Sequence, residues 1–305
     1  MYKKIAVIIG ARGVGDLIYH LPLLKSLYKS YNQKLIIFSN KVNKANQVFE
    51  YEEFVNKIIE FDYYRYGFFK TIKNTLIFRD KLNFYNFDRV ILASNARRLI
   101  LPVILCNALK KDIMGNGKFI FNKDRSLDHL TASERLLKYT KDLKLPVKIQ
   151  NFFLKNYKSN SSNKNIFISV DSHHNQNNWP LSNYIELIKK IKNKKIYLNF
   201  SPNNKIFFLN FFKKENIKNK KIIFTYNRSI KEIIKIIKKC DIIIGNESGP
   251  VCLGASYKKK VHAIYLPIHT KPESKIIYKN TAYYNTSKMS DSKIINKILI
   301  NILSP

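Results

Sequence analysis

The chain has 305 residues, with 55 basic against 21 acidic side chains and a formal net charge of +34. That length suits two domains of about 150 residues each, and a hydrophobic content of 45% is enough for two cores. No run approaches the roughly 20 apolar residues of a membrane span, and the three cysteines, Cys106, Cys240 and Cys252, form neither a CxxC pair nor an even framework.

The first predicted element is the apolar strand Lys3–Ile9. It is too short for a signal peptide and runs directly into Gly10-Ala-Arg-Gly13-Val-Gly15-Asp16. A helix follows, with Leu17, Leu21, Leu24 and Leu27 on one side. Glycines at 10, 13 and 15 do not make the G-x-G-x-x-G dinucleotide fingerprint. The next strand, Lys34–Ser39, brings no acid for a ribose. A Walker loop fails too, because Asp16 and Leu17 stand where Lys and Ser/Thr would hold phosphate and magnesium. An acid at this turn repels a phosphate and suits a base. It also suits a helix N-terminus, where its charge meets the macrodipole.

Apolar runs of strand length recur at Val55–Asp62, Asp88–Ala93 and Lys110–Gly115, and His129–Leu143 has helical periodicity. Residues 156–165 are polar, low in complexity and without period, as expected of a linker. Beyond them, strands at Ile166–Val170, Lys195–Phe200, Lys221–Tyr226, Asp241–Gly245 and Val261–Leu266 alternate with helices, which implies a second parallel sheet. Ser290–Leu303 closes the chain as an amphipathic helix. The fold class expected is α/β, with two Rossmann-like doubly wound domains facing a central cleft.

The second turn of interest is Asn246-Glu247-Ser248-Gly249-Pro250. It lies between an apolar strand and the small-residue helix Cys252–Ser256. An acid, a hydroxyl and a glycine at the opening of a helix can receive a phosphate and a sugar. Ser before Gly-Pro is equally good helix-capping chemistry.

Three patterns together resemble the family-9 glycosyltransferases, the group of lipopolysaccharide heptosyltransferases. These are Gly15-Asp16-Leu-Ile-Tyr-His-Leu21-Pro22, Glu247-Ser248-Gly249-Pro-Val-Cys252-Leu-Gly-Ala255, and the strand Phe167–Val170 leading to Asn177-Asn-Trp179-Pro180. The resemblance implies the glycosyltransferase B-type fold. Residues 1–155 would form the acceptor-side domain and 156–289 the nucleotide-sugar domain. Residues 290–305 would be a terminal helix crossing back to the first domain.

The resemblance also implies function. A sugar, heptose-like, would pass with inversion from a nucleotide diphosphate donor such as ADP-heptose to a lipopolysaccharide-core or other surface-glycan acceptor. Asp16 would be the general base, with Gly13 and Gly15 in the acceptor-side loop. Ser172, His173, Asn177, Arg228, Glu247, Ser248, Gly249 and Cys252 would line the donor site. No metal and no cofactor are expected, since the nucleotide-sugar is itself the substrate. Trp179-Pro180 reads as a packing anchor.

The chain departs from the family pattern at Asn177, where Lys is usual, at Glu247 for Asp and at Cys252 for His. It lacks an acid near Asn203-Asn204-Lys205 for a ribose hydroxyl, and Lys205 or His269 could supply compensating charge.

Charge leaves alternatives open. Lys, Asn and Ile are abundant along the whole chain, which fits a compositional bias. The excess also fits attraction to an anionic membrane surface. A cytoplasmic protein, peripheral at the inner membrane and acting on an anionic glycolipid, accommodates it. Nucleic acid is not expected, because no module concentrates the charge and interleaves aromatics. A non-catalytic relative that keeps the fold and binds a nucleotide or a partner transferase is the alternative function, followed by a basic nucleic-acid-binding protein, which net charge alone supports.

Overall fold

The computed structural model describes residues 3–10, 13–62, 68–94, 96–114, 130–155, 165–171, 178–215, 221–265 and 280–303. The chain divides into two compact units, Met1–Leu154 and Lys155–Pro305. Most of the polar stretch expected as a linker, 156–164, lies outside the described residues.

The first unit runs β1 (Ile5–Ile9), α1 (Val14–Tyr19), α2 (Leu21–Tyr31), β2 (Leu35–Asn40), α3 (Ala45–Val48), β3 (Val55–Phe61), α4 (Phe68–Phe84), β4 (Arg89–Leu92), α5 (Arg97–Leu105), β5 (Lys110–Ile113) and α6 (Ala132–Asp142). Its five strands are all parallel, in the order β3-β2-β1-β4-β5. Every residue of β1 is buried, as a central parallel strand covered on both faces requires. One face packs on Phe78 and Leu82 of α4 and Leu99 and Val103 of α5.

The expected first helix is two helices. Leu17, Leu21, Leu24 and Leu27 are all fully buried, but the rod breaks at His20. Pro22 cannot donate a hydrogen bond, and its ring would clash with the carbonyl of Ile18. It therefore takes a place in the first turn of a new helix. Thr131 and Glu134 form a reciprocal capping box that starts α6.

The second unit runs β6 (Ile166–Ser169), α7 (Leu181–Lys190), β7 (Ile196–Asn199), α8 (Lys205–Lys214), β8 (Ile222–Phe224), α9 (Ile230–Lys238), β9 (Ile242–Asn246), α10 (Gly249–Ser256), β10 (Lys260–Tyr265), β11 (Thr281–Asn285) and α11 (Asp291–Leu303). The order of its six parallel strands is β11-β10-β9-β6-β7-β8. β11 is a strand that the alternation of apolar runs does not announce. Ile294, Ile295, Ile298 and Ile302 of α11 are buried in the second unit's own core, together with Tyr184 and Leu187 of α7.

Both sheets are doubly wound. In each, the strand order reverses beside the first strand, between β1 and β4 in one unit and between β6 and β9 in the other. Ligands of such sheets bind at the carboxyl ends of the strands flanking that reversal.

Candidate functional site

Gly13 opens α1 at the carboxyl end of β1 with φ at 135°, a backbone conformation that strains any other residue. Its N–H donates to Asn43 Oδ1 at 2.7 Å, and Asn43 Nδ2 donates to Ser39 Oγ at 3.0 Å, so the end of β2 holds the turn. Gly15 is the second residue of α1 and Asp16 the third. A Cβ placed on Gly13 would lie 3.4 Å from Asp16 Oδ2, which means the carboxylate folds back over the turn.

The backbone of Asp16 is pinned by a residue that the motif analysis passed over. His20 is buried, with Nδ1 2.7 Å from the Asp16 carbonyl oxygen and Nε2 2.7 Å from that of Ala93, just beyond β4. A neutral imidazole can donate to only one of them. Burial holds the ring's pKa below its ordinary value, and the two carbonyls act in the opposite direction. His20 therefore ties the Asp16 turn to the strand across the switch point.

In the second unit β9 ends in the polar turn. Gly245 is required by close approach, since a Cβ there would meet the Ser169 carbonyl oxygen of β6 at 2.4 Å. Glu247 N–H donates to the Ile264 carbonyl at 3.0 Å, which fixes the turn to β10. Ser248 is the N-cap of α10, with Gly249 first in the helix and Pro250 second, yet the Ser248 hydroxyl makes no capping bond. Its Oγ is buried without a hydrogen-bond partner.

An unsatisfied buried hydroxyl costs about 1–3 kcal/mol, so it calls for an explanation. It lies at a helix N-terminus, where amides and the macrodipole favour an anion. Cys252 is buried one turn into the helix, its N–H bonded to the Ser248 carbonyl at 2.9 Å.

Asn246, the last residue of β9, does more than end a strand. It is buried, and its Nδ2 donates to the Val170 carbonyl at 3.0 Å and to Asn178 Oδ1 at 3.2 Å. Its Oδ1 accepts from Trp179 N–H at 2.9 Å. It thus clasps both flanks of residues 172–177, the stretch that carries Ser172, His173 and Asn177. Those three lie outside the described residues, as does His269.

Trp179 is a packing anchor, edge-on to Tyr184 at 4.8 Å, with Nε1 donating to Asp291 Oδ1 at 2.7 Å. Asp171, directly after β6, accepts from Ser201 N–H at 2.8 Å and Asn204 Nδ2 at 3.1 Å through Oδ2. A carboxylate therefore does stand beside Asn204, supplied from a neighbouring strand. Lys205 lies over the Tyr226 ring at 4.8 Å from its centroid.

Arg228 is at the exposed start of α9, paired with Glu232 at 3.0 Å. The serine there does cap its helix: Ser229 and Glu232 form a capping box, in contrast to Ser248. Among the described residues, no group of three or more His, Cys, Asp or Glu side chains is placed to hold a metal ion. No helix of the described residues is long and apolar enough to cross a membrane.

Two parallel doubly wound units, each with a loaded turn at its switch point, make the architecture of the B-type glycosyltransferases. The sequence pattern of glycosyltransferase family 9 (heptosyltransferase) matches residues 124–297, more than half of the chain, and the protein belongs to that family. Among solved structures, it is similar to ADP-heptose LPS heptosyltransferase II of E. coli, with a TM-score of 0.75 at 14% identity over 98% of each chain. The E. coli heptosyltransferase WaaC with ADP gives a TM-score of 0.73 at 16% identity, also over 98% of each chain. A family 9 glycosyltransferase from Veillonella parvula DSM 2008 gives 0.72 at 16% identity, covering 99% of this chain and 90% of that one. No curated protein matches by sequence.

Proposed function

We propose that the protein transfers a heptose-like sugar from a nucleoside diphosphate donor to a hydroxyl of a lipopolysaccharide-core or other surface-glycan acceptor, with inversion at the anomeric carbon. The observation that carries this reading is the buried, unpartnered Ser248 Oγ at the start of α10. A diphosphate oxygen there would accept from the hydroxyl, while the first amides of the helix face the same charge.

As the glycosidic bond to the nucleotide breaks, the departing diphosphate gains charge, and donors aimed at that charge lower the barrier. Gly249 keeps the approach to the backbone open. Asn246 holds Val170, Asn178 and Trp179, the chain on either side of Ser172, His173 and Asn177, and Cys252 and Glu247 complete the donor side. Asp16 takes the proton of the attacking acceptor hydroxyl. One base is sufficient, because inversion forms no covalent intermediate. The charge on the leaving group is met by helix amides and hydroxyl, so the reaction as read needs neither a metal nor a cofactor. The E. coli heptosyltransferase WaaC, described with ADP and with ADP-2-deoxy-2-fluoro heptose, makes an adenosine diphosphate donor the first to test.

A second reading, binding without turnover, is favoured by Cys252, a buried thiol where the family carries histidine. Calorimetry against ADP-, UDP- and GDP-sugars, followed by a transfer assay with a core-lipid acceptor, separates the two. Binding of an ADP-sugar with release of ADP is the expected result. Binding without release selects the non-catalytic reading, and no nucleotide-sugar binding at all removes both.

A further inference from the structure

Among the described residues, eight of the fifteen exposed large apolar side chains fall between Ile72 and Leu109. Scattered apolar side chains need no explanation, but a contiguous patch does. Helix α4 buries Thr75, Phe78 and Leu82, and turns Leu76, Ile77 and Phe84 outward, the last at 80% exposure. After its opening Arg97-Arg98, its neighbour α5 is apolar from Leu99 to Leu105, a composition that belongs in a core or a lipid phase. It buries Leu99 and Val103 against the sheet, while Leu101, Ile104 and Leu105, spaced i, i+3, i+4, face out. The two helices pack side by side on the same face of the first sheet, so their outer ridges are continuous.

The same segment is strongly cationic. Residues 68–111 hold nine Lys or Arg and two acids. Of those acids, Asp80 is paired with Arg79 at 2.6 Å and Asp88 accepts the backbone amides of Lys3 and Lys4. Arg89 is buried against Asp112 and adds nothing outside. Lys73, within α4, and Lys110, next in the chain to the exposed Leu109, are themselves exposed.

We infer that the outer face of α4 and α5 docks on an anionic lipid bilayer surface, with the leucines and isoleucines in the headgroup boundary and the lysines on the lipid phosphates. Interfacial helices combine these two features. A second copy of the chain would press like charges together. Single-stranded nucleic acid would call for aromatic stacking platforms, whereas this ridge is mainly Leu and Ile. The inference deepens the proposed function, because a surface-glycan acceptor carried on a lipid would be met at such a surface. It stands on its own observations.

The test is co-sedimentation of the full chain with vesicles of phosphatidylglycerol and phosphatidylcholine, and with phosphatidylcholine alone. The protein is expected to sediment with the anionic vesicles. Ile77→Glu/Leu105→Glu should lower the bound fraction about tenfold or more, while Ile206→Glu on α8 leaves it unchanged. If the double variant does not fold by circular dichroism, Lys73→Glu/Lys110→Glu makes the same test from the charged side.

Equal binding of parent and variants would overturn the inference, as would no binding of the parent. A parent dimer split by the substitutions, without vesicle binding, would assign the face to a second copy and overturn it as well. Nucleotide-sugar affinity in lipid-free solution reports on the proposed function separately, so either reading can fail alone.

Discussion

In the first unit, the amide that opens the turn is already spent. Gly13 N–H goes to Asn43, and the side chain folded over it is the Asp16 carboxylate. In the second unit the corresponding turn is left open, with a hydroxyl that caps nothing and is buried without a partner. Both turns follow a strand beside a switch point, and both lead into a helix whose N-terminus is electropositive. The first unit places its own acid at its positive end, while the second leaves a buried hydroxyl there without a partner. On the proposed function, the first turn is the proton acceptor and the second the phosphate receiver, two uses of one supersecondary part.

The comparison breaks most visibly at Asp16. Asp16→Asn keeps the shape and the hydrogen-bonding capacity and removes the proton acceptor. General-base catalysis is commonly worth about 10²–10⁴-fold, and a kcat loss of that order is expected. Donor affinity by calorimetry should be unchanged, since the proposed function puts the phosphate receiver in the other unit. Near-normal turnover with a small shift in melting temperature would make Asp16 a helix-terminus charge and nothing more.

The opposite half is probed by Ser248→Ala, for which two readouts move in opposite directions. A hydrogen bond to a charged group contributes about 1.5–3 kcal/mol, so donor affinity should fall roughly ten- to a hundredfold. The ligand-free protein should melt at the same temperature or higher, because a buried unsatisfied hydroxyl has been removed. A hydroxyl that merely capped the helix would give the reverse pattern, with lower stability and unchanged affinity.

Much of this fold is legible in the sequence, for reasons visible element by element. β1, β4, β6 and β9 are continuous apolar runs because parallel strands are covered on both faces, and the Thr131 and Ser229 caps are local signals. β11 is not legible. It is an edge strand, half-exposed over Thr281–Tyr283, and its pattern is set by partners rather than by period. The two turns could be found from glycine and acid spacing. Their supports could not, because they act across long separations. Asn246 reaches Val170 across 76 residues, His20 reaches Ala93 across 73, and Asp171 reaches Asn204 across 33. A polar residue ending an apolar strand was the available hint for Asn246, and Asp171 after β6 offered the same one.

The mildest test of the comparison uses the buried histidine in each unit. His20 lies between two carbonyls, whereas His262 on β10 shares one bond of 2.9 Å with Tyr284 Oη and buries Nε2 without a partner. Burial, helped by the positive charge of Lys260, pushes the His262 pKa down to about 4 from an ordinary 6.5. The unfolded chain therefore binds more protons between those values, so stability rises with pH across that window and is lost on acidification. At pH 5.5 the linkage amounts to about 1 kcal/mol relative to pH 7.5.

The His20 pKa is lowered as well, so the acid-side loss of the intact chain should contain both contributions. His262→Phe fills the same space without a titrating group. Its melting temperature should fall less between pH 7.5 and 5.5 than that of the parent, with the remaining dependence left to His20 and the acids. The slope is the informative quantity, because the substitution also takes away the partner of Tyr284 Oη and lowers stability equally at both pH values. Parallel curves for parent and variant would mean that His262 takes up its proton without cost in the folded state, and that the second sheet accommodates a charge there.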